Sequence, residues 1–240
     1  MSTRVPPIIV AHRGIHHALP ENSREALWTA LDDSFWIECD VHAAADGVPV
    51  VMHDETLDRT TTATGPVWAL SSAELKATRL RGGGLVPTLE DCLARKRDPQ
   101  LGWVVEIKPP DAHELVRRTY ELLCGGYFLI QSFDPDNVRY ASKLWECPTA
   151  LLVGNEQELA AATEGEWHQV NVNHRLLTAE MVRRLRDTGA SVGAWTVNEE
   201  PDIRRVIDLG VDLIISDNPW RVREAIYYLS PDEWRAREGR

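Results

Sequence analysis

Two acidic residues, Glu38 and Asp40, lie two positions apart in the otherwise apolar segment 36–41. On a β-strand this spacing puts both carboxylates on one face and the intervening apolar side chains on the other. Glu106 follows a second apolar run, 103–105, and supplies a third carboxylate. Three carboxylates without a cysteine are typical ligands of Mg²⁺ or Ca²⁺, with water or substrate oxygens completing the shell. The alternative, solvated acids on an edge strand, is disfavoured by the apolar residues that alternate with them.

Two histidines are candidates for proton transfer. His12 ends the apolar segment 8–11, where a lone histidine is more often a packed core residue. The interpretation changes if His53 lies near the same acidic residues. Imidazoles titrate near neutral pH, so two of them beside a cation would serve as general base and general acid.

Other polar residues near these segments have two possible roles. Arg13 and Lys108 either pair with the acidic residues or clamp an anion such as phosphate, and the two roles are compatible. Asn22 and Ser23 either cap the first predicted helix or contact the site. Trp195, near the end of another apolar segment, either packs in the core or lines the site against an alkyl part of a substrate.

Short segments rich in β-branched or aromatic residues alternate with amphipathic ones, which predicts a parallel sheet with helices between its strands. Strands are predicted at 8–11, 36–41, 48–52, 103–107, 127–131, 149–153, 169–172, 191–197 and 212–216, and helices at 23–31, 89–97, 111–123, 136–143, 179–188 and 201–209. Thr88 with Asp91 predicts a capping box, and Gly189 and Gly210 stand where helices end.

One of the nine predicted strands cannot belong to a parallel barrel. Only six residues separate Val41 from Val48, too few for the dozen or more that a parallel crossover needs. Asp46-Gly47 instead predicts a hairpin turn, and a two-residue turn there places Asp40 directly opposite His53. Eight strands remain, the number in a (β/α)8 TIM barrel, whose functional residues lie at the carboxyl ends of the strands. Residues 1–240 are therefore expected to form a single barrel domain, with 55–87 as a small insertion that caps one end.

The composition narrows the possible partners and compartment. The chain has 240 residues, 26 basic against 37 acidic ones and a net charge of −11, which disfavours binding to nucleic acid or an anionic membrane. No apolar run approaches the ~20 residues of a membrane-spanning helix, so no stable membrane insertion is expected. The N-terminus as given does not resemble a secretory signal. The four cysteines have no zinc-ligand or C-x-x-C spacing, and reduced thiols in a cytoplasmic protein are expected.

The ordered set of motifs resembles the glycerophosphodiester phosphodiesterase family over residues 8–220. The matching segments are Ala11-His12-Arg13-Gly14, Pro20-Glu21-Asn22-Ser23, Glu38-x-Asp40-Val41, the run from Asp46 to Asp54, Leu57-x-Arg59-Thr60-Thr61, 86–90, Glu106-Ile107-Lys108, Ser132-Phe133, 195–198 and the run from Gly210 to Pro219. The resemblance implies a TIM barrel and the metal-dependent hydrolysis of glycerophosphodiesters to sn-glycerol 3-phosphate and an alcohol such as choline, ethanolamine or glycerol.

The resemblance also implies roles for individual residues. Glu38, Asp40 and Glu106 would hold one divalent cation, Mg²⁺ or Ca²⁺. His12 and His53 would be the acid/base pair. Arg13 and Lys108 would contact the phosphate of a small-molecule phosphodiester. The sequence departs from the family pattern in carrying Ser23 where threonine is usual, alanines at 43–45, and the unusual pair His16-His17.

Three other functions are compatible with such a barrel. A lysophospholipase D-like or sphingomyelinase D-like enzyme would use the same residues on lipid substrates and would carry an apolar patch at the mouth. A phosphate-binding barrel without catalysis has no need for two imidazoles. A sugar-phosphate isomerase or an aldolase would share the fold, but an aldolase needs a Schiff-base lysine, and the acidic residues beside Lys108 favour a metal instead.

Overall fold

A computed structural model of the chain describes residues 5–95, 98–144 and 147–229. Its strands are β1 (Ile8–Ala11), β2 (Trp36–Ala43), β3 (Pro49–Val51), β4 (Trp103–Ile107), β5 (Phe128–Ser132), β6 (Thr149–Val153), β7 (Gln169–Asn173), β8 (Ser191–Trp195) and β9 (Leu213–Ser216). They are hydrogen-bonded in the order β1-β9-β8-β7-β6-β5-β4-β2, and a pairing of β1 with β2 closes the ring. The predicted eight-stranded TIM barrel is confirmed, with β3 bonded to β2 outside the ring.

Helices follow the strands of the barrel. They are α1 (Arg24–Asp32), α2 (Ser72–Ala77), α3 (Leu89–Leu93), α4 (His113–Leu123), α5 (Pro135–Ser142), α6 (Glu156–Ala162), α7 (Ala179–Asp187), α8 (Glu200–Leu209) and α9 (Pro219–Leu229). The capping box of Thr88 and Asp91 is present at α3. That helix ends at Leu93 rather than at 97, and residues 96–97 lie outside the described part of the chain.

Outside the insertion, two of the described helices are not among those predicted from the sequence pattern, although each has a start signal. At α6 the side chain of Asn155 accepts a hydrogen bond from the Glu158 backbone N–H, which is an N-cap. At α9 a proline stands at the first helical position, where its missing N–H costs nothing. The α6 segment is short and carries few apolar residues at helical spacing, so periodicity alone does not reveal it. In α9, Val222, Ala225 and Ile226 do stand at helical spacing, so the prediction omits a helix that the pattern indicates.

Internal contacts divide the chain into two compact units. The first, Ala11–Leu152, contains β2–β5 and α1–α5. The second joins the described residues 5–10 to 153–229 and contains β7–β9 and α6–α9. The candidate acidic residues, His12, His53, Arg13 and Lys108 all belong to the first unit, and Trp195 belongs to the second.

The hairpin of β2 and β3 forms as predicted, but its register differs by one residue. Val41 pairs with Val51 and His42 with Val50, and the Met52 N–H bonds to the Asp40 carbonyl at 3.0 Å. The prediction that Asp40 lies opposite His53 is therefore wrong. The turn holds three residues rather than two, because Gly47 donates back to the Ala44 carbonyl and adopts φ +75°, the left-handed residue of a type I turn with a bulge.

The segment after the hairpin has a small apolar core of its own. Buried Leu57, Val67 and Leu75 cluster with Val50 and Met52 of the hairpin arm. A 3₁₀ turn at Val67–Ala69 and the capping-box helix α2 complete the segment. The insertion is thus a packed element fixed to β3, which gives its polar side chains defined positions.

All four cysteines are free, and Cys39, Cys92 and Cys147 are buried. Burial raises the pKa of the Cys39 thiol well above its ordinary value. Among the described helices, none combines the length and apolarity needed to cross a bilayer.

Candidate active site

Three carboxylates meet at the carboxyl end of neighbouring strands. Asp40 of β2 lies beside Glu106 of β4 in the parallel register, and Glu38 precedes Asp40 by two residues on the same face. All three are buried, and one oxygen of each lies within 4.8 Å of the others. The structure thus brings together the acidic residues that the sequence singled out, because strand alternation and the ladder fix their positions.

The electrostatics of this cluster favour a bound cation. Burial, then repulsion by Asp40 and Glu106, raises the pKa of Glu38 well above its ordinary value. Burial and the charge of Asp40 raise the pKa of Glu106 to about 7. Burial opposes ionisation of Asp40 too, but Lys108 and Arg13 outweigh it and hold its pKa below the ordinary value.

The cluster also fits a divalent cation by its donor chemistry. It offers carboxylate oxygens alone, the ligands that Mg²⁺ and Ca²⁺ prefer. Within the described ranges, the buried Oδ1 of Asp40 accepts no hydrogen bond and has Lys108 Nζ at 3.5 Å. A buried carboxylate oxygen without a donor is expensive, and a cation at this point would satisfy it.

Arg13 and Lys108 border the carboxylates. The Arg13 backbone N–H donates to Glu38 Oε2 at 3.0 Å, and its Nε lies 3.2 Å from Asp40 Oδ2. Lys108 Nζ donates to Glu106 Oε1 at 2.7 Å. Their side chains remain 17% and 16% exposed, so solvent reaches both. Pairing with the acidic cluster, one of the two roles considered above, is what the contacts show.

The two histidines lie at the same edge of the barrel. His12 follows the last residue of β1, and His53 follows β3 by two residues. The charges of both contribute to lowering the pKa of Asp40, which puts both near that carboxylate. His53 Nδ1 donates to Asp54 Oδ1 at 2.7 Å. Burial lowers the pKa of His53, against the opposing effects of Asp40 and Asp54.

Asn22 is a site residue whose role the sequence left open. Ser23 caps α1 by accepting from the Ala26 N–H, whereas the Asn22 amide donates to Asp40 Oδ2 at 2.7 Å. Asn22 is buried and adopts φ +58°, a conformation that asparagine tolerates better than most residues. It therefore orients a carboxylate of the cluster. The sequence does contain a signal for this role. Asn22 and Ser23 are both good N-cap residues, but a helix needs only one, so the other is free for a different role.

Glu21, Asp54 and Arg59 stand in the recognised motifs, but the sequence assigned them no role. Arg59 of the insertion binds both carboxylates, Glu21 at 2.7 Å and Asp54 at 2.6 Å. Glu21 also accepts from Arg13 Nη1 at 2.8 Å. The spacing along the chain does not reveal this group, because its members come from different loops.

Trp195 and Asp217 lie in the second unit. Trp195 ends β8, and its indole N–H donates to the Asn171 carbonyl at 2.8 Å. Asp217 accepts from the Asn198 amide at 2.6 Å. The tryptophan ring is partly exposed, which is compatible with either of the roles considered for it.

Residues 12–221 match the sequence profile of the Glycerophosphoryl diester phosphodiesterase family. The chain is 31% identical to the Mycobacterium tuberculosis protein "Probable glycerophosphodiester phosphodiesterase 2", with 95% of this chain and 92% of that protein covered. It is 29% identical to a Bacillus subtilis glycerophosphodiester phosphodiesterase, covering 88% and 84% of the two chains. Among solved structures, an Oleispira antarctica phosphodiesterase in complex with sn-glycerol-3-phosphate superposes with a TM-score of 0.80 at 25% identity, over 92% of this chain and 97% of that one.

The matched region begins at His12 and includes every acidic and basic residue of the site in the first unit. The relatives are covered over nearly their whole length, so the likeness is one of entire barrels rather than of a shared strand pattern. The chain therefore belongs to the glycerophosphodiester phosphodiesterase family.

Proposed function

We propose that this enzyme hydrolyses glycerophosphodiesters to sn-glycerol 3-phosphate and an alcohol with the help of one divalent cation. The observation that carries the proposal is the convergence of three buried carboxylates with two histidines and two basic side chains in one unit. The sn-glycerol-3-phosphate bound by the Oleispira antarctica relative supports the same product here.

Glu38, Asp40 and Glu106 would hold the cation, Mg²⁺ or Ca²⁺. Bound there, it would neutralise charge on the non-bridging phosphate oxygens. Arg13 and Lys108 contact the phosphate from the sides of the cluster, where their exposed portions face solvent.

The two histidines carry out proton transfer. His12 takes a proton from the nucleophile, which is water or the glycerol hydroxyl of the substrate itself; the latter gives a cyclic phosphate that water then opens. His53 donates a proton to the oxygen of the leaving alcohol. Asp54 accepts from Nδ1 of His53 and thereby directs Nε2 of that ring to the reaction.

The whole chain, residues 1–240, would act as a single catalytic domain in which the insertion 55–87 caps the site. Four free thiols support a cytoplasmic location. The proposed substrate is a small phosphodiester. The net charge of −11 disfavours nucleic acid as a partner.

A substrate panel tests the proposal. Glycerophosphocholine, glycerophosphoethanolamine and glycerophosphoglycerol are compared with lysophosphatidylcholine, each in chelator and with Mg²⁺ or Ca²⁺ restored. Release of sn-glycerol 3-phosphate from the first three, abolished by chelator, is expected. Preferential cleavage of lysophosphatidylcholine would favour the lysophospholipase D alternative. Full activity in excess chelator would exclude a metal ion from the proposed mechanism. The variant Asp40→Asn is the matched control, because it keeps the shape of a ligand but removes its charge.

A further inference from the structure

A continuous series of ion pairs and hydrogen bonds runs from Arg13 to His53. Arg13 Nη1 binds Glu21 at 2.8 Å, and Arg59 binds the same carboxylate through Nη1 at 3.0 Å and Nη2 at 2.7 Å. Arg59 also binds Asp54 through Nε at 2.6 Å and Nη2 at 2.8 Å. Asp54 accepts from His53 at 2.7 Å. Arg59 is thus bidentate to two carboxylates at once, which fixes the plane of its guanidinium.

We propose that Arg59 is a positioning residue, which sets the locations of Arg13 and His53 relative to each other through Glu21 and Asp54. The inference rests on the proposed function, in which Arg13 contacts phosphate and His53 transfers a proton. Arg59 itself touches neither the carboxylate cluster nor the reacting groups among the described residues. It acts through the two carboxylates that it holds.

Both sides of this link are anchored. Arg59 lies between Leu57 and Thr61, which are fully buried in the insertion, and the Thr61 hydroxyl donates to the Leu57 carbonyl at 2.8 Å. On the other side, the Asn22 N–H bonds to the Arg13 carbonyl at 3.1 Å and closes the loop that carries Glu21. The packed insertion is thereby tied to a hydrogen-bonded loop, and the link between them sets the spacing of Arg13 and His53.

A contribution to stability does not exclude this positioning role. The Arg59 side chain is 49% exposed, so solvent screens its ion pairs, although bidentate geometry within a network makes them stronger than isolated surface pairs. The effect on catalysis is larger, because displacement of a reacting group by about 1 Å can lower the rate by about 100-fold. Without Arg59, Glu21 keeps its contact with Arg13 and Asp54 keeps its contact with His53. The bidentate contacts that fix the separation of the two carboxylates are lost, so the placement of Arg13 and His53 changes.

The test compares Arg59→Ala and Arg59→Lys with Arg81→Ala. Arg81 is the matched control, because it is an exposed arginine of the same insertion whose Nη2 lies 3.5 Å from the Asp58 carbonyl and which pairs with neither Glu21 nor Asp54 in the described structure. Thermal unfolding confirms that each variant is folded. The assay measures kcat and KM on the best substrate of the panel, with and without millimolar guanidinium.

Arg59→Ala should lower kcat by about 10- to 100-fold with a much smaller change in KM, because the loss falls on the transition state. Guanidinium should restore part of kcat in Arg59→Ala and leave Arg81→Ala unchanged. Arg59→Lys should be intermediate, since an ammonium cannot bind both carboxylates in two places.

Two results overturn the inference. One is an Arg59→Ala enzyme as active as Arg81→Ala; the other is a loss that follows only the melting temperature and shows no rescue by guanidinium. A wild-type enzyme inactive on the whole panel would instead overturn the proposed function and this inference with it, so the two failures are distinguishable.

Discussion

Gly14 holds the loop of Arg13 against the first helix, and its replacement by alanine should damage both stability and activity. Gly14 has φ +80°, and a Cβ there would lie 2.5 Å from the Ala26 carbonyl carbon and 2.6 Å from the Leu27 nitrogen. These are backbone atoms of α1 that cannot swing aside. The next residue, Ile15, donates to the Ala26 carbonyl at 2.9 Å, so the loop cannot withdraw without losing that bond.

The expected cost has two parts. A left-handed conformation costs alanine about 1–2 kcal/mol relative to glycine. Overpacking against fixed atoms adds about 1–3 kcal/mol. Gly14→Ala should therefore lower the free energy of unfolding by about 2–5 kcal/mol, the sum of these ranges. Because the adjustment moves Arg13, turnover of the folded enzyme should fall as well.

The variant Gly189→Ala serves as a control that separates the conformational cost from the overpacking cost. Gly189 also has a positive φ, +91°, but within the described chain no atom lies within 4 Å of the point that a Cβ would occupy there. It should lose only the conformational part, about 1–2 kcal/mol, with unchanged turnover. Urea unfolding measures the two free energies, and melting temperatures should fall by about 2–4 °C for each kcal/mol in a chain of this size. Equal losses in the two variants would refute the reasoning from the close approach to α1.

Three further outcomes are expected. His12→Ala and His53→Ala should each lower kcat by about two or more orders of magnitude, and near-normal turnover in either would exclude that histidine from proton transfer. Asp54→Asn removes a carboxylate that raises the pKa of His53, so that pKa falls and, with His53 as acid, the alkaline limb of the kcat/KM profile moves to lower pH. An unmoved limb would contradict the role of His53 as acid. Asn22→Gly keeps the left-handed backbone but removes the amide from Asp40, and calorimetry should show divalent-ion affinity weaker by about 10- to 100-fold. Unaltered affinity would show that Asn22 does not orient this ligand.

The barrel and its carboxylates were predictable because strands impose positions. Alternation along β2 places Glu38 and Asp40 on one face, and the parallel ladder then sets Glu106 beside Asp40. The hairpin register was not predicted correctly, because Asp46-Gly47 is compatible with a turn of two or three residues. The choice depends on the left-handed bulge at Gly47, which the pattern of apolar residues does not encode.

His53 lies near the acidic residues although the hairpin register was predicted wrongly by one residue. His53 lies beyond the last ladder residue of β3, so side-chain contacts rather than the register determine its place. His42 Nε2 donates to its carbonyl at 3.1 Å, and Asp54 holds its ring. Contacts of this kind join loops distant in sequence, and a chain with 26 basic and 37 acidic residues allows many pairings of similar strength. Periodicity therefore identifies the residues that strands carry, whereas the link through Arg59 becomes apparent only when the insertion and the first loop are seen together.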